Sequence, residues 1–541
     1  MTLEQTIQSI FPEETDVPPD FNLKTPVDCH HYLINGELRP WNGPMQPVVS
    51  PVFLRTPQGL RPKPLGSFPL LTEKEALEAL EAAVKAYDYG NGLWPTMPVE
   101  KRISHIEDFV QRMQEKRSDV TRLLSWEIGK SRKDSEKELD RTVQYIIDTI
   151  EAMKELDRVS SRFVIQDHII AQIRRSPLGV VLCMGPFNYP LNETFATLIP
   201  ALLMGNTVIF KPPRVGVLLH CALLEAFRAA FPAGVINCIY GKGQTIVTPL
   251  MASGKIDVFA FIGSSKVADG LKKLHPKPHR LRGVLGLDAK NVGIILPDAD
   301  LDLAVSECLL GTLSFNGQRC TALKILFVHS QIADQFLARF NQGVAKLKCG
   351  MPWQDPVDIT PIAEPQKIPY FTELIKDAQS YGARVINESG GLVNETFFYP
   401  AVLYPVNSKM RVYSEEQFGP VIPVLPFDDI QEPVNYIVES NYGQQVSLFG
   451  CNPDTLAKLI DPLVNQVCRV NINSQCQRGP DSFPFNGRKD SAEGTLSVSD
   501  ALRVFSIRTI VAAKDNGVNK GIITDIAREH KSNFLTTDFI F

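Results

Sequence analysis

The stretch Pro177-Leu178-Gly179-Val180-Val181-Leu182-Cys183-Met184-Gly185-Pro186-Phe187-Asn188-Tyr189-Pro190 is a short apolar run closed by a glycine-proline turn. A run this short and this rich in β-branched residues reads as a buried strand, because buried helices need more length. Three similar runs follow, Thr207 to Phe210, Val235 to Tyr240 and Val258 to Ile262, and the segment Val215 to Phe231 between them has apolar residues at helical spacing. Strand and helix alternating in this way predict a parallel sheet covered by helices on both faces. A second alternating region runs from Gly293 to about Phe449, with strands at Gly293 to Leu296 and Ala322 to Val328 and a helix over Gln331 to Leu347. The expected class is α/β, with two doubly wound domains.

Outward from this core, helical periodicity begins at Thr72, a good N-cap with Glu75 three residues on, and continues to about Leu156. Residues 1 to about 30 are acidic and carry Pro12, Pro18, Pro19 and Pro26. They are expected to lie over the surface as an extended arm. A second proline-rich stretch follows Gly36, and there is no internal repeat.

With 541 residues, 44% of them apolar, the chain is too long for one hydrophobic core and rich enough for two or three. A formal net charge of -4 carries no electrostatic footprint for nucleic acid or an anionic membrane. Ten cysteines without short repeated spacing or histidine partners point away from disulfide frameworks and metal sites, toward a reducing compartment. The first residues lack a signal-peptide pattern, and no apolar stretch reaches the roughly 18 residues of a membrane span. A cytoplasmic location is expected.

In an open α/β sheet, ligands bind beyond the carboxyl ends of the strands. Asn188 offers an amide at the first such end, and Lys211-Pro212-Pro213-Arg214 puts two cations at the second, suited to nucleotide hydroxyls and phosphates. Gly241-Lys242-Gly243 and Gly263-Ser264 follow later runs, and small residues there let phosphate approach backbone donors, although a lone Gly-x-Gly is usually only a turn. The run Ser314-Phe315-Asn316-Gly317-Gln318-Arg319-Cys320-Thr321 sets a cysteine directly after an arginine. A thiolate is a competent nucleophile, and adjacent positive charge lowers the pKa of the thiol.

Taken together, these motifs resemble the NAD(P)-dependent aldehyde dehydrogenase superfamily from about residue 30 to about residue 512. Gly317-Gln318-Arg319-Cys320-Thr321-Ala322 and Gln477-Arg478-Gly479-Pro480-Asp481 are most similar to its non-phosphorylating, NADP-dependent glyceraldehyde-3-phosphate dehydrogenases. The resemblance implies attack of Cys320 on an aldehyde, hydride transfer, and hydrolysis of the resulting thioester, with Asn188 and the Cys320 N–H as oxyanion donors. It implies Lys211 at the adenosine ribose, Ser264 at the pyrophosphate, and Glu416 with Phe418 at the nicotinamide ribose. Arg214 stands where NAD-preferring relatives often carry an acid, so NADP is expected over NAD. Arg141, Tyr189, Arg319 and Arg478 match phosphate-anchoring positions. Each arginine alone could equally be an ion-pair partner of a carboxylate such as Asp140 or Asp481, but convergence near one cysteine calls for an anion.

The family likeness also divides the chain. Residues 31–160 with 176–290 are expected to bind cofactor and 291–500 to carry catalysis. Residues 161–175 with 501–515 supply oligomerisation strands, residues 1–30 are an arm, and 516–541 form a tail whose end, Phe539-Ile540-Phe541, packs on a neighbouring surface or subunit. A homodimer or homotetramer is implied.

One departure matters chemically. The superfamily activates water with a glutamate opening a Glu-Leu-Gly-Gly-Lys motif, and here the run is Gly286-Leu287-Asp288-Ala289-Lys290. Gly286 has no side chain, and the nearest acid is Asp288. Asp288 could take the role of base, or serve as an ion-pair partner of Lys290 or a turn cap. The expected activity is oxidation of glyceraldehyde 3-phosphate to 3-phosphoglycerate with NADP and without inorganic phosphate. The alternatives are oxidation of another aldehyde, transfer of the acyl group to coenzyme A, or cofactor binding with impaired deacylation.

Overall fold

The computed structural model describes residues 2–23 and 25–540. An eight-stranded sheet is ordered Ala492–Glu493, Arg282–Gly286, Val258–Ile262, Val180–Met184, Thr207–Lys211, Ile236–Cys238, His31–Ile34, Glu37–Pro40. Its five central strands are parallel, with Ala260 opposite Cys183 and Cys183 opposite Phe210. From Val180–Met184 the chain steps outward one way through Thr207–Lys211 to Ile236–Cys238, then returns to the other side for Val258–Ile262. That reversal opens a crevice at the carboxyl ends of Val180–Met184 and Val258–Ile262.

A seven-stranded sheet is ordered Arg384–Val385, Ala401–Tyr404, Val421–Phe427, Leu323–His329, Asn291–Ile295, Gln445–Phe449, Arg469–Ile472. All its pairings are parallel except the first. The strand ending at Gly286 and the strand beginning at Asn291 belong to different sheets, so the segment between them bridges the two. Cys320 precedes Leu323–His329, and Asn188, beyond the carboxyl end of Val180–Met184, bonds to the loop that bears Cys320, so the amino end of one strand faces the carboxyl end of the other. A third sheet of three antiparallel strands, Phe163–Gln166, Ile169–Pro177 and Ser506–Lys514, stands apart from both.

The helices follow their sequence signals closely. Glu73–Tyr87 starts with a capping box, in which Thr72 Oγ1 accepts from Lys74 N and Glu75 accepts from Thr72 N at 2.8 Å. Arg132–Ser160, capped by Ser131, buries Leu139, Val143, Ile146, Ile150 and Met153 and carries Glu138 and Arg141 toward the site. The expected helix over Val215 to Phe231 is two shorter ones, Leu218–Ala222 and Leu224–Ala230.

One region, the amino-terminal arm, differs from expectation. It is no loose extension, because Leu3–Gln8 is helical and Ile7, Phe11, Val17 and Phe21 are buried. Burying large apolar side chains, each about 1.5–3 kcal/mol, outweighs the polar character of the surrounding residues. The proline-rich stretch after Gly36 forms a long hairpin, Met45–Thr56 with Gly59–Pro69, whose register shifts between Val48 and Phe53 accommodate residues that cannot donate to the ladder. The tail contains the helix Gly517–Arg528 and then folds back on its own chain, with Leu535 buried; Phe541 lies outside the described residues.

Candidate active site

Cys320 sits on a loop held in an unusual path. Phe315, Asn316 and Gly317 are left-handed, with φ of 49°, 56° and 71°. A Cβ at Gly317 would lie 2.7 Å from Thr312 O and 2.8 Å from Gly419 O, so only glycine fits. The Asn316 amide pins the loop to Thr360, donating to its carbonyl at 3.0 Å and accepting its N–H at 3.1 Å. Beyond the nucleophile, Cys320 O accepts from Asn291 Nδ2 at 2.8 Å and from Lys324 Nζ at 2.9 Å. Cys320 as a residue is half-buried.

Asn188 reaches this loop from the carboxyl end of Val180–Met184. It is buried, and its Nδ2 donates to Gln318 O at 2.9 Å. Its main-chain carbonyl accepts from Lys130 Nζ at 2.7 Å, and Lys130 forms a fully buried pair with Glu138. Glu138 in turn accepts from Leu191 N at 3.0 Å and Asn192 N at 3.2 Å, fixing the whole turn. A Cβ at Gly185 would collide with Thr194 Oγ1 at 1.7 Å, so this turn needs glycine to close on the following helix.

Burial pushes the Cys320 thiol up to about 11, and Glu193 adds to the effect, while Lys324 and Arg478 oppose it. Arg319, expected as the cation acting on the thiol, points elsewhere. Its Nη2 donates to Gly311 O and Gln475 Oε1 at 3.1 Å each and to Leu310 O at 3.3 Å, tying the loop to the end of the helix Leu301–Leu313. Sequence adjacency to Cys320 does not give spatial adjacency to its sulfur on so sharply turned a loop.

Two of the other anchoring candidates, Arg141 and Arg478, meet at Asp481. Arg141 holds Asp481 through two hydrogen bonds of 2.9 and 2.7 Å. Arg478 is buried, pairs with Glu193, lies 3.3 Å from Asp481, and donates to Leu496 O at 3.0 Å. Tyr189 is buried, and its ring centroid is 3.6 Å from Lys130 Nζ. The chain thus supplies two carboxylates to its own two arginines, which answers the like-charge repulsion internally.

On the cofactor side, the buried Lys211 donates to Pro212 O at 2.9 Å, and burial with Arg214 nearby lowers its ammonium to about 8. Arg214 is exposed, with no hydrogen-bond partner among the described residues. Gly243 opens the helix Gly243–Ala252 with free space at its Cβ position, and Gly241 has φ +139°. Gly263 leads to Ser264, N-cap of Ser265–Leu274, whose hydroxyl makes no capping bond. Two cations and the uncapped start of Gly243–Ala252 on one crevice fit a nucleotide carrying several phosphates. Glu416 pairs with Lys324 at 2.6 Å and accepts from Ala289 N at 3.1 Å, and the Phe418 ring lies edge-on to Phe187 at 5.8 Å.

Gly286 ends its strand, and a Cβ there would make only ordinary contacts, 3.4 Å from Ile262 and 3.8 Å from Leu496. The Asp288 carboxylate accepts from Ser265 N at 2.7 Å, so it caps the helix Ser265–Leu274. Among the described residues no cluster of three or more metal-ligating side chains occurs, and no helix is long and apolar enough to cross a membrane. Glu193, Lys324 and Asn291 are the site residues that motif reading passed over. Glu193 and Lys324 carried a signal, each being the single Asp, Glu, Lys or Arg of a largely buried element.

The sequence profile of the aldehyde dehydrogenase family matches residues 55–511. The chain is 33% identical over 451 residues to the NADP-dependent glyceraldehyde-3-phosphate dehydrogenase of Streptococcus equinus, covering 82% of this chain and 91% of that one. It is 32% identical over 455 residues to the enzyme of the same name from Apium graveolens, covering 81% and 88%. The crystal structure of NADP-dependent glyceraldehyde-3-phosphate dehydrogenase from Bacillus halodurans, complexed with NADP, superposes with a TM-score of 0.82 at 32% identity, over 90% of this chain and 99% of that one.

Proposed function

The chain belongs to the aldehyde dehydrogenase family, and from that premise we propose that it oxidises glyceraldehyde 3-phosphate to 3-phosphoglycerate with NADP, through a thioester on Cys320 and without inorganic phosphate. The observation that carries this reading is the Asn188 amide, which donates at 2.9 Å to the carbonyl of Gln318 on the loop that bears Cys320. Attack by sulfur on an aldehyde turns its carbonyl oxygen into an alkoxide, and such an oxygen needs donors already in place. The buried turn fixed by Lys130 and Glu138 keeps the Asn188 amide in place. The Cys320 N–H is the second donor.

Lys211, Arg214, Gly241, Gly243, Gly263, Ser264, Glu416 and Phe418 are the residues that would hold NADP. When bound, NADP accepts the hydride released as the thiohemiacetal becomes a thioester. Arg214, exposed and without a hydrogen-bond partner, supports recognition of a 2′-phosphate. Arg141, Arg319, Arg478 and Tyr189 are the residues proposed for the substrate phosphate, with Asp288 the nearest acid to the family's base position.

The three-stranded sheet exposes Val164, Ile165, Ile507, Ile510 and Val511, which supports a homo-oligomer assembled through that surface. Ten free cysteines support a cytoplasmic location. The test is to mix purified protein with NADP and glyceraldehyde 3-phosphate, without phosphate or coenzyme A, and follow reduced cofactor. Continuous production is expected. Absence of any reduced cofactor in the first turnovers would sink the assignment.

A further inference from the structure

Resting on that reading, we propose that Glu193 is the general base that activates water to release Cys320, and that the anionic end of the substrate frees it from Arg478. Gly286 offers no carboxylate, the Asp288 carboxylate is held by Ser265 N at 2.7 Å, and Glu416 is held by Lys324 and Ala289 N. Glu193 opens the helix Asn192–Leu203, on the same segment that brings Asn188 to the Cys320 loop. It is buried, and its partner is Arg478. Glu193 is also the foremost charge acting to keep the Cys320 sulfur protonated.

Two arginines and two carboxylates leave the cluster neutral before substrate arrives. A phosphate dianion entering beside Arg141 and Arg478 makes the group electron-rich, and one carboxylate must leave the arginines. Asp481 is held by Arg141 through two hydrogen bonds, whereas Glu193 is held by Arg478 alone, so Glu193 is the one released. Its carboxylate then takes a proton from water as the water oxygen bonds to the thioester carbon. Collapse of the tetrahedral adduct breaks the C–S bond, with the electron pair going to Cys320 Sγ. Glu193 returns its proton to that sulfur, and the product acid loses its own to solvent. Tying the base to substrate charge would restrict full turnover to phosphorylated aldehydes.

The test is rapid-mixing kinetics with NADP and glyceraldehyde 3-phosphate. In Glu193→Gln, a burst of about one reduced cofactor per chain should persist while the steady rate falls about 100- to 10,000-fold. Adding Gly286→Glu in that background should recover at least about tenfold of the loss, because the Gly286 position has room for a side chain. With unphosphorylated glyceraldehyde, the wild type should turn over slowly and speed up when inorganic phosphate is added, and Glu193→Gln should not respond. If Glu193→Gln fails to bind NADP, Glu193→Asp is measured instead, with a full burst and a reduced steady rate expected. A steady rate in Glu193→Gln within about threefold of wild type overturns the proposal, as does loss of the burst in a variant that binds NADP. No acceleration by phosphate overturns the release step. A wild type without any burst would instead defeat the underlying substrate assignment.

Discussion

Lys324 Nζ lies 2.6 Å from a Glu416 carboxylate oxygen, and the same ammonium donates to Cys320 O at 2.9 Å. One buried cation therefore joins the nucleophile's loop to a residue proposed for the nicotinamide ribose. Lys324 is also the foremost cation opposing the upward push of burial on the Cys320 thiol, which stands at about 11. Below that value the thiolate fraction grows about tenfold per pH unit, so alkylation by iodoacetamide should accelerate steadily from pH 7 to 10. Lys324→Met should slow alkylation at pH 8 by about tenfold, if the thiol rises by roughly one unit, and lower kcat/KM in parallel. An alkylation profile identical to wild type would remove Lys324 from this role.

Cofactor preference should separate at Arg214. A charge-assisted hydrogen bond is worth about 1.5–3 kcal/mol, so Arg214→Ser should weaken NADP binding about 10- to 150-fold while leaving NAD nearly unchanged. Lys211 adds a pH dependence. Its ammonium, lowered to about 8 by burial and then by Arg214, is charged below pH 8 and neutral above it. NADP affinity measured by fluorescence titration should therefore fall as pH rises through 8, and a flat profile would contradict the assignment of Lys211.

Asp288 has a structural consequence that can be read apart from turnover. Its carboxylate satisfies Ser265 N, one of the donors left open at a helix start. Asp288→Ala should cost about 0.5–2 kcal/mol of local stability. Amide exchange at the start of the helix Ser265–Leu274 should quicken while exchange in Val180–Met184 stays slow. Unchanged protection at Ser265 would show that the cap contributes nothing.

Much of this organisation was legible in residue order because its signals are local. The run Val180 to Met184, the capping box at Thr72 and the turn glycines each depend on neighbours within a few positions. The arm escaped such reading because Phe11 and Phe21 are separated by prolines and acids, and only a distant partner surface makes the burial of Ile7, Phe11 and Phe21 favourable. In the site, Cys320 and Asn188 were legible as motif residues. The environment of the sulfur was not, because Lys324, Glu193 and Arg478 reach it through three different segments while adjacent Arg319 turns back to Gly311. Charge balance among Arg141, Arg478, Glu193 and Asp481 is likewise a tertiary property, set by contacts hundreds of positions apart.

The tail gives a last prediction, since it closes over polar groups of the strand Ile169–Pro177. The Gln172 amide pairs with Thr536 in both directions, donating to its carbonyl at 2.5 Å and accepting its N–H at 3.1 Å. Asn533 Nδ2 donates to Thr96 O at 2.8 Å, and Arg174, paired with Asp157, also reaches the carbonyls of Phe534 and Thr536. Burial raises the Asp157 carboxyl against the pull of Arg174. Ending the chain after Arg528 uncovers Leu535's apolar seat and hydrates Gln172, Arg174 and Asp157 together. Losing one buried leucine costs about 1.5–3 kcal/mol, so Tm should fall by a few degrees. NADP binding should be retained, because Ile169–Pro177 feeds the amino end of Val180–Met184 and the cofactor crevice lies at the carboxyl end. A shortened chain that melts with the full-length protein would show that these contacts add nothing to stability.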